Sequence, residues 1–434
     1  MKLRRVVVLS LAAAFLATGL WVVGGNMWAA RREEQCDRAW TATFGGLDDL
    51  KKKYPKRETN EAAKQVEELS KVLGFDLAPS VRTVGTMPRP LAPAEAKRGQ
   101  ALLDYISTQI STPEASIDAP PEEVTRFLEE KRVNLDGIES ILIVGPPAQW
   151  SFDISRPEGD GPMPNGLGHI RLQRILMARA LAAARGGHNE AAARSLEASW
   201  NLNEPLRGRP EMMPSIMGIA IARLEVGVLR KVDFVGEDAW GKRLANLDGR
   251  AVLLDTLVLE SRPRSARNSL SRASTSGDDP SWYQRSQDFL TRPTYRLVMV
   301  DYSNLMRDEC AQLRGAPLSD HFLEPPTLDV RDVAHILLAV SMPNTKNSFV
   351  RADRLVVDAE LTSKILEAKR LRSENGGRWP AAIPGIETSR FPGASWRYEV
   401  SPEGGRMSIA FSRELASPYG QSGMKALPLR FSSN

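Results

Sequence analysis

The sequence is poor in the side chains that most often carry chemistry. Its 434 residues include two cysteines and four histidines, and only 6% of the residues are aromatic. Neither the cysteines nor the histidines occur at the spacing of a zinc site, and no H-E-x-x-H pattern is present. A G-x-S-x-G motif, a Walker loop and a dinucleotide-binding fingerprint are also lacking. We therefore predict no catalytic, cofactor-binding or metal-binding residue, and enzymatic activity stays uncertain with a preference for none.

A dedicated basic face is lacking as well. The 58 Lys and Arg residues are nearly balanced by 53 Asp and Glu residues, which leaves a formal net charge of +5. Nucleic-acid-binding proteins cluster basic residues with interleaved aromatics, whereas this chain has only short basic runs such as Lys51–Arg57. That run is interpreted as a solvated turn, with contact to anionic lipid headgroups as the alternative. We expect no nucleic-acid partner.

Charge is absent from residues 6–30, between the basic "MKLRR" and Arg31. As a helix this segment is roughly 37 Å long, enough to cross a hydrocarbon core of about 30 Å. Trp21 and Trp28 lie towards its far end, where indole rings favour the membrane interface. The sequence therefore predicts a membrane contact through residues 6–30.

The flanking charges predict the orientation of this segment. Basic residues precede it, whereas the following "RREE" cancels its own charge. The positive-inside rule then keeps the N-terminus in the cytoplasm and exports the rest of the chain. A cleaved signal peptide, with a small-residue cleavage site at Val22–Val23–Gly24, is the rival interpretation. A buried soluble helix is the third.

The two cysteines, Cys36 and Cys310, have two interpretations. In an oxidising compartment they could pair, and closing so long a loop contributes about 5 kcal/mol in the chain-entropy model. Two unrelated thiols, one beside the membrane and one in a helical core, are the alternative, and we favour it.

Helical periodicity dominates the chain after the apolar segment. Residues 78–93 are rich in Pro and Gly and predict a linker, whereas Glu139–Gly145 is a short apolar run that fits either a strand or a buried helical turn. Ser215–Val232 is apolar almost all round and is expected to be a buried central helix. Helices are predicted around Asn60–Gly74, Ala94–Ile110, Pro121–Arg132, 168–205 (as a hairpin), Leu247–Ser261, 294–314 and Leu328–Pro343, and a long last helix over Ser348–Asn375.

The C-terminal part predicts the only β-structure. "SWRYEV" and "RMSIAF" alternate apolar and polar residues, and "SPEGG" joins them, which predicts a β-hairpin after a Gly376–Gly377 helix end. A two-stranded hairpin is marginal alone, so we expect it to pack on the long preceding helix. The predicted fold class is mainly α: a multi-helix domain with a small C-terminal α+β unit, preceded by one N-terminal transmembrane helix.

Two local resemblances accompany these patterns. "ARALAAARGGHNEAAARSLEASWNLNEP" (178–205) resembles a single tetratricopeptide-type helical hairpin, which implies two packed helices without a repeat array. "ENGGRWP", with Asn375, Trp379 and Pro380, resembles the helix-to-sheet junction of bacterial type II secretion pseudopilins. That second resemblance covers 348–411 and implies the local fold alone, since pseudopilins join this helix directly to their membrane helix.

The order of the whole chain resembles bacterial membrane-anchored envelope proteins that carry no assigned activity. The shared features are the apolar anchor, the "GH.EAA" hairpin, "ILL..SMPN" and the terminal "ENGGRWP" unit. The resemblance implies a single-pass protein of the bacterial inner membrane, with its bulk in the periplasm and an envelope protein as partner. It does not identify a small-molecule ligand, which stays unknown.

These expectations divide the chain into four parts: a tip with anchor or signal (1–30), a stalk helix with linker (31–93), a helical domain (94–345), and a long helix with β-hairpin and tail (346–434). The first functional hypothesis is a membrane-anchored extracytoplasmic scaffold or interaction protein. The alternatives are a membrane-tethered hydrolase acting on envelope polymer and a secreted binding module released by signal cleavage.

Five further patterns are weak candidates for chemistry. The histidines are His169, His188, His321 and His335; we expect His188 exposed in a turn and His335 in a helical core. Ser319–His321 ("SDH") contains triad letters, but a triad needs spatial rather than sequential proximity. Ser422–Lys425 ("SGMK") matches S-x-x-K without its supporting motifs, and Glu158–Gly161 ("EGDG") has too few carboxylates for calcium. An arginine cluster, expected to be a solvated loop or an anion-binding patch, comprises Arg262, Arg264, Arg267 and Arg272.

Overall fold

The chain is mainly helical, with one small antiparallel sheet near its C-terminus. The computed structural model describes residues 2–77, 93–155, 165–233, 237–263, 282–321, 333–417 and 426–433. The helices in that part of the chain are α1 (Lys2–Phe44), α2 (Leu47–Lys53), α3 (Glu61–Val72), α4 (Pro93–Ser111), α5 (Glu122–Glu130), α6 (Arg132–Val144), α7 (Gly166–Arg185), α8 (Asn189–Arg207), α9 (Met212–Leu229), α10 (Glu237–Ala245), α11 (Gly249–Glu260), α12 (Trp282–Gly315) and α13 (Val333–Glu374). The strands are β1 (Trp396–Val400), β2 (Met407–Phe411) and β3 (Arg430–Ser433).

Polar side chains cap the first turns of several of these helices. The Asn60 side chain accepts a hydrogen bond of 3.0 Å from the Ala63 amide at the start of α3. Asp248 accepts a bond of the same length from the Ala251 amide at the start of α11. Each cap satisfies an amide that has no partner within its helix.

The helical hairpin predicted at 168–205 is formed by α7 and α8. Gly187 turns the chain with a φ of +76°, a conformation that favours glycine. The residue before α8 is His188, and its side chain makes no capping bond. Small residues such as Ala180 and Ala192 are fully buried, so the two helices lie close together.

One open alternative is decided and one helix prediction needs correction. Residues up to Val144 belong to α6, where Leu142 is buried, so the helical alternative for Glu139–Gly145 is confirmed and the strand is not formed. Residue 343 does not end a helix: α13 continues from Val333 to Glu374. A proline inside a helix removes one backbone hydrogen bond, which here does not interrupt α13.

α13 separates two hydrophobic cores. Ala352, Leu355 and Ala359 face the large core built by the helical part of the chain. Val357, Leu361 and Ile365 face a second core with the sheet. The predicted packing of the hairpin on the last long helix is therefore confirmed, and the helix belongs to both units.

The sheet contains the predicted hairpin and a strand that was not predicted. β1 pairs with β2 in antiparallel register, Tyr398 opposite Ile409, and β3 pairs on the other edge of β2, Phe431 opposite Ile409. Buried arginines hold the chain just before β3. Arg230 donates 2.8 Å to the Pro428 carbonyl oxygen, and Arg354 donates 2.5 Å to that of Leu427.

Candidate functional site

The N-terminal apolar segment lies within α1, and most of its side chains are exposed. The relative exposures of Phe15, Leu16 and Leu20 are 78%, 66% and 70%. In the described part of the chain, two helices are long and apolar enough to span a membrane by length and composition. They are residues Ala12–Phe44 of α1, whose most apolar window is 17% buried, and α9, whose window is 67% buried. Because α9 is mostly covered by protein, α1 has the larger apolar surface left uncovered.

One stripe of α1 is covered, and α12 covers it. Val22 and Ala29 are buried, and Gly25 meets Pro293 of α12. Arg296 of α12 donates to both carboxylate oxygens of Glu33, at 2.8 and 2.6 Å, and also to the Asn26 side chain at 3.1 Å. α12 therefore packs along the last part of the apolar segment and along the polar part of α1 that follows this segment.

A buried chain of hydrogen bonds also joins α1 to α12 near Trp40. The Trp40 indole donates 2.8 Å to the Ser303 hydroxyl, which donates 2.6 Å to the Ser261 carbonyl oxygen. The Cys36 thiol donates to the same hydroxyl at 3.5 Å. Both Cys36 and Cys310 are free and buried, as the favoured interpretation expected.

The histidines do not assemble a catalytic site in the described part of the chain. His169 is completely buried against the Trp150 ring, with centroids 4.6 Å apart. His188 is exposed, as predicted, and His335 is partly buried in α13. The Ser319 hydroxyl bonds to the main chain of His321, while the exposed His321 ring lies 3.6 Å from Asp320. A Ser–His side-chain pair is therefore not among the contacts of this segment.

Two of the charged residues singled out in the sequence, Arg262 and Lys53, have partners within the protein. Arg262 turns inward, donates to the Gly45 carbonyl oxygen and lies 3.5 Å from Asp37. Lys53 of the basic run pairs with Asp255 at 2.5 Å. Arg264, Arg267, Arg272, Ser422–Lys425 and Glu158–Gly161 lie outside the described residues, as does most of the predicted linker.

One cavity lies between α8, α9, α10 and α11 and has a volume of about 460 Å³. Arg207 on its wall stacks on the Trp200 ring at 3.7 Å and lies 3.9 Å from the buried Glu225 carboxylate. Burial raises the pKa of Glu225, although Ser199 and Asn203 donate hydrogen bonds to it. The Glu225 carboxylate is thus held by protein donors between the central helices, whereas Arg207 Nη1 and Asn203 Oδ1 have no hydrogen-bond partner among the described residues.

A smaller cavity of about 250 Å³ lies where α13 meets the C-terminal unit. Asp353 accepts hydrogen bonds from Arg250 at 2.9 and 3.1 Å, and burial raises its pKa. Asp320 accepts from Arg413 at 3.1 Å. These two ion pairs link α11 and β2 to neighbouring segments, and both carboxylates are occupied by protein donors.

A third cavity, of about 310 Å³, lies between α4, α5 and α7 and contains Arg98, Arg171 and Arg174. In the sequence these arginines do not stand out as a group. The only signal was the three-residue spacing of Arg171 and Arg174, which places them on one helix face.

Comparison of the chain with protein-family models, curated proteins and solved structures found no match. Among the described residues, no group of three or more His, Cys, Asp or Glu side chains could hold a metal ion. The features that distinguish this molecule are therefore the uncovered apolar helix, its attachment to α12 and the arginine-containing cavity.

Proposed function

We propose that this protein is a membrane-anchored, extracytoplasmic helical scaffold or interaction protein of the bacterial cell envelope. The observation that carries the proposal is the uncovered apolar surface of α1. Soluble monomers rarely expose contiguous apolar patches of more than a few hundred Å², and a hydrocarbon core would cover this one. The basic residues before the segment favour an N-terminus in the cytoplasm.

Retention of the anchor is supported by its contacts with the folded body. Val22 is buried and Gly25 packs on Pro293, so cleavage near residue 24 would remove or expose part of the α1–α12 interface. This arrangement favours the anchor over the secreted binding module. The exposed side chains Phe289 and Leu290 precede Pro293 in α12 and add apolar surface to that helix.

We propose the scaffold role rather than the hydrolase because three buried carboxylates and the Ser319 hydroxyl are already bonded to other groups of the protein. Glu225, Asp353 and Asp320 are each engaged by protein donors. The Ser319 hydroxyl is engaged by the main chain. A surface of helices anchored beside the bilayer is suited to holding an envelope protein near the membrane.

Site-directed labelling tests the topology, since both native thiols are buried. Glu399 is exposed on the sheet, so E399C should react with a membrane-impermeant maleimide in intact spheroplasts. K2C, at the other end of α1, should react only after lysis. The reverse pattern would contradict the proposed orientation, and recovery of both variants in the soluble fraction after an alkaline wash would contradict the anchor.

An intact-mass measurement separates the anchor from the secreted alternative. The proposal expects the membrane-bound protein to retain its N-terminal segment. A mature chain that begins near residue 24 or 25 would favour the secreted binding module instead.

A further inference from the structure

We propose that the cavity between α4, α5 and α7 binds an amphiphilic anion, a phosphate or carboxylate group attached to a short apolar body. The cavity has a volume of about 310 Å³, near the lower end of the range for small-molecule pockets. This inference does not depend on the membrane topology, because it rests on the side chains of the cavity alone.

The cationic part of the cavity comes from three arginines. Arg171 and Arg174 lie on one face of α7, and Arg98 comes from α4, where its guanidinium lies 4.8 Å from the centre of the Phe127 ring. Gln100 is the other polar side chain on the wall, and its amide donates to Asp104 at 2.7 Å. No Asp or Glu lines the described wall of the cavity, so its charge is positive.

Arg174 is the most informative of these residues. Its Nε is buried and has no hydrogen-bond partner among the described residues. Burial and the nearby Arg171 charge both lower its pKa. Placing a second guanidinium beside a half-buried one costs free energy unless an anion enters to neutralise them. Arginine forks also match the paired oxygens of phosphates and carboxylates.

The apolar part is the floor of the cavity. It is formed by side chains that are at least nine-tenths buried: Leu73, Phe75, Leu102, Phe127 and Ile175. A small inorganic anion would leave this surface against water, whereas an attached alkyl or aryl group would cover it. The combination of arginines with an apolar floor therefore favours an amphiphile over a free ion.

Binding of hexyl phosphate to the full-length protein in phosphatidylcholine nanodiscs tests this assignment, with empty nanodiscs to correct for partitioning. We expect saturable binding, with inorganic phosphate and hexanol each binding at least about tenfold more weakly. R174Q should weaken hexyl phosphate binding by about tenfold or more, because a charge-assisted hydrogen bond is lost. R185Q, which removes an exposed charge from the end of the same helix, should leave the affinity unchanged.

The melting temperature distinguishes a binding residue from a structural one. Because Arg174 Nε lacks a partner within the described protein, R174Q should melt at the same temperature as the wild type or higher. Equal hexyl phosphate affinity for wild type and R174Q would overturn the proposal. Inorganic phosphate or hexanol binding as tightly as hexyl phosphate would also overturn it.

The source of the anion is assigned by competition. Vesicles containing phosphatidic acid should displace hexyl phosphate if the natural ligand is a lipid headgroup, while pure phosphatidylcholine vesicles should not. No displacement by either vesicle would support a soluble phosphate ester as the source. Displacement by pure phosphatidylcholine vesicles to the same extent would overturn the anionic assignment.

Discussion

Gly25 of α1 lies so close to Pro293 of α12 that a β-carbon at residue 25 would be 2.8 Å from the proline Cβ. Real β-carbons essentially never approach another atom so closely. The contact lies inside the apolar segment predicted to anchor the protein. α1 is therefore both the candidate membrane helix and part of the folded body, and its position relative to α12 depends on glycine at residue 25.

Gly25→Ala should weaken the α1–α12 interface by about 1–3 kcal/mol, the usual cost of overpacking a close contact. Gly24→Ala is the matched control, because a β-carbon at residue 24 meets nothing within 4 Å. Both substitutions gain the same helix propensity, so their difference isolates the contact. Thermal unfolding in nanodiscs measures it, and equal melting temperatures of the two variants would contradict the close approach of α1 to Pro293 in the membrane.

The two thiols should be unreactive in the folded protein. Burial raises the pKa of the Cys310 thiol to about 12 and also raises that of Cys36. Because the thiolate is the reactive form, iodoacetamide should add no mass to the native protein at neutral pH and should modify both residues after denaturation in urea. A denatured, unreduced sample that shows no free thiol would instead indicate a disulfide between them.

His169 should make the protein less stable in mild acid. Burial, with a smaller contribution from Arg209, lowers its pKa to about 3 in the folded state, whereas an unfolded histidine has a pKa of about 6.5. The unfolded state binds more protons between these values, so this contribution is fully present above pH 6.5 and is lost as the pH falls towards 3. Between pH 6.5 and pH 5 the His169 contribution to the free energy of unfolding falls by about 2 kcal/mol.

H169F tests this contribution, since neither imidazole nitrogen has a hydrogen-bond partner among the described residues and a phenyl ring cannot titrate. Urea unfolding at pH 7 and pH 5 should show a smaller loss of free energy for H169F than for the wild type. H188F, at an exposed histidine, should behave like the wild type. An identical acid dependence in all three proteins would show that His169 does not contribute.

Arg230 should be essential for the attachment of the C-terminal strand. Its guanidinium donates to the Asp358 carboxylate at 3.1 Å and to Thr362 at 2.9 Å, as well as to Pro428. R230M leaves the Asp358 carboxylate buried without its main partner, which typically costs about 3–5 kcal/mol. R397M, at an exposed arginine of β1, should change the free energy of unfolding by less than about 0.5 kcal/mol. Equal urea midpoints would contradict this assignment.

Much of the local structure could be predicted from the sequence because its signals are local. The cap at Asn60, the turn at Gly187 and the Gly376–Gly377 helix end with φ values of +62° and +84° each depend on a few neighbouring residues. The β1–β2 hairpin follows from two alternating runs with a short turn between them. Hydrophobic periodicity and turn-forming residues act within about ten residues along the chain, so they can be recognised in a single sequence.

Other elements could not be predicted because distant partners stabilise them. The third strand, β3, is four residues long and depends on pairing with β2 and on arginines from α9 and α13. Glu139–Val144 is helical because Leu142 packs into the large core from α6. α13 also continues through residue 343, against the local preference of proline, and no local sequence signal predicted this.

By itself, the sequence determined the helical character of the chain, the length and uncharged nature of its N-terminal segment, and the terminal hairpin. Only the tertiary structure decided that α12 covers one stripe of that segment, that α13 serves two cores, and that Arg98, Arg171 and Arg174 share one cavity. The physical reason is the distance along the chain over which each of these signals acts. Hydrophobic periodicity and backbone preferences are properties of neighbouring residues, whereas convergence of side chains from separate helices depends on how the whole chain packs.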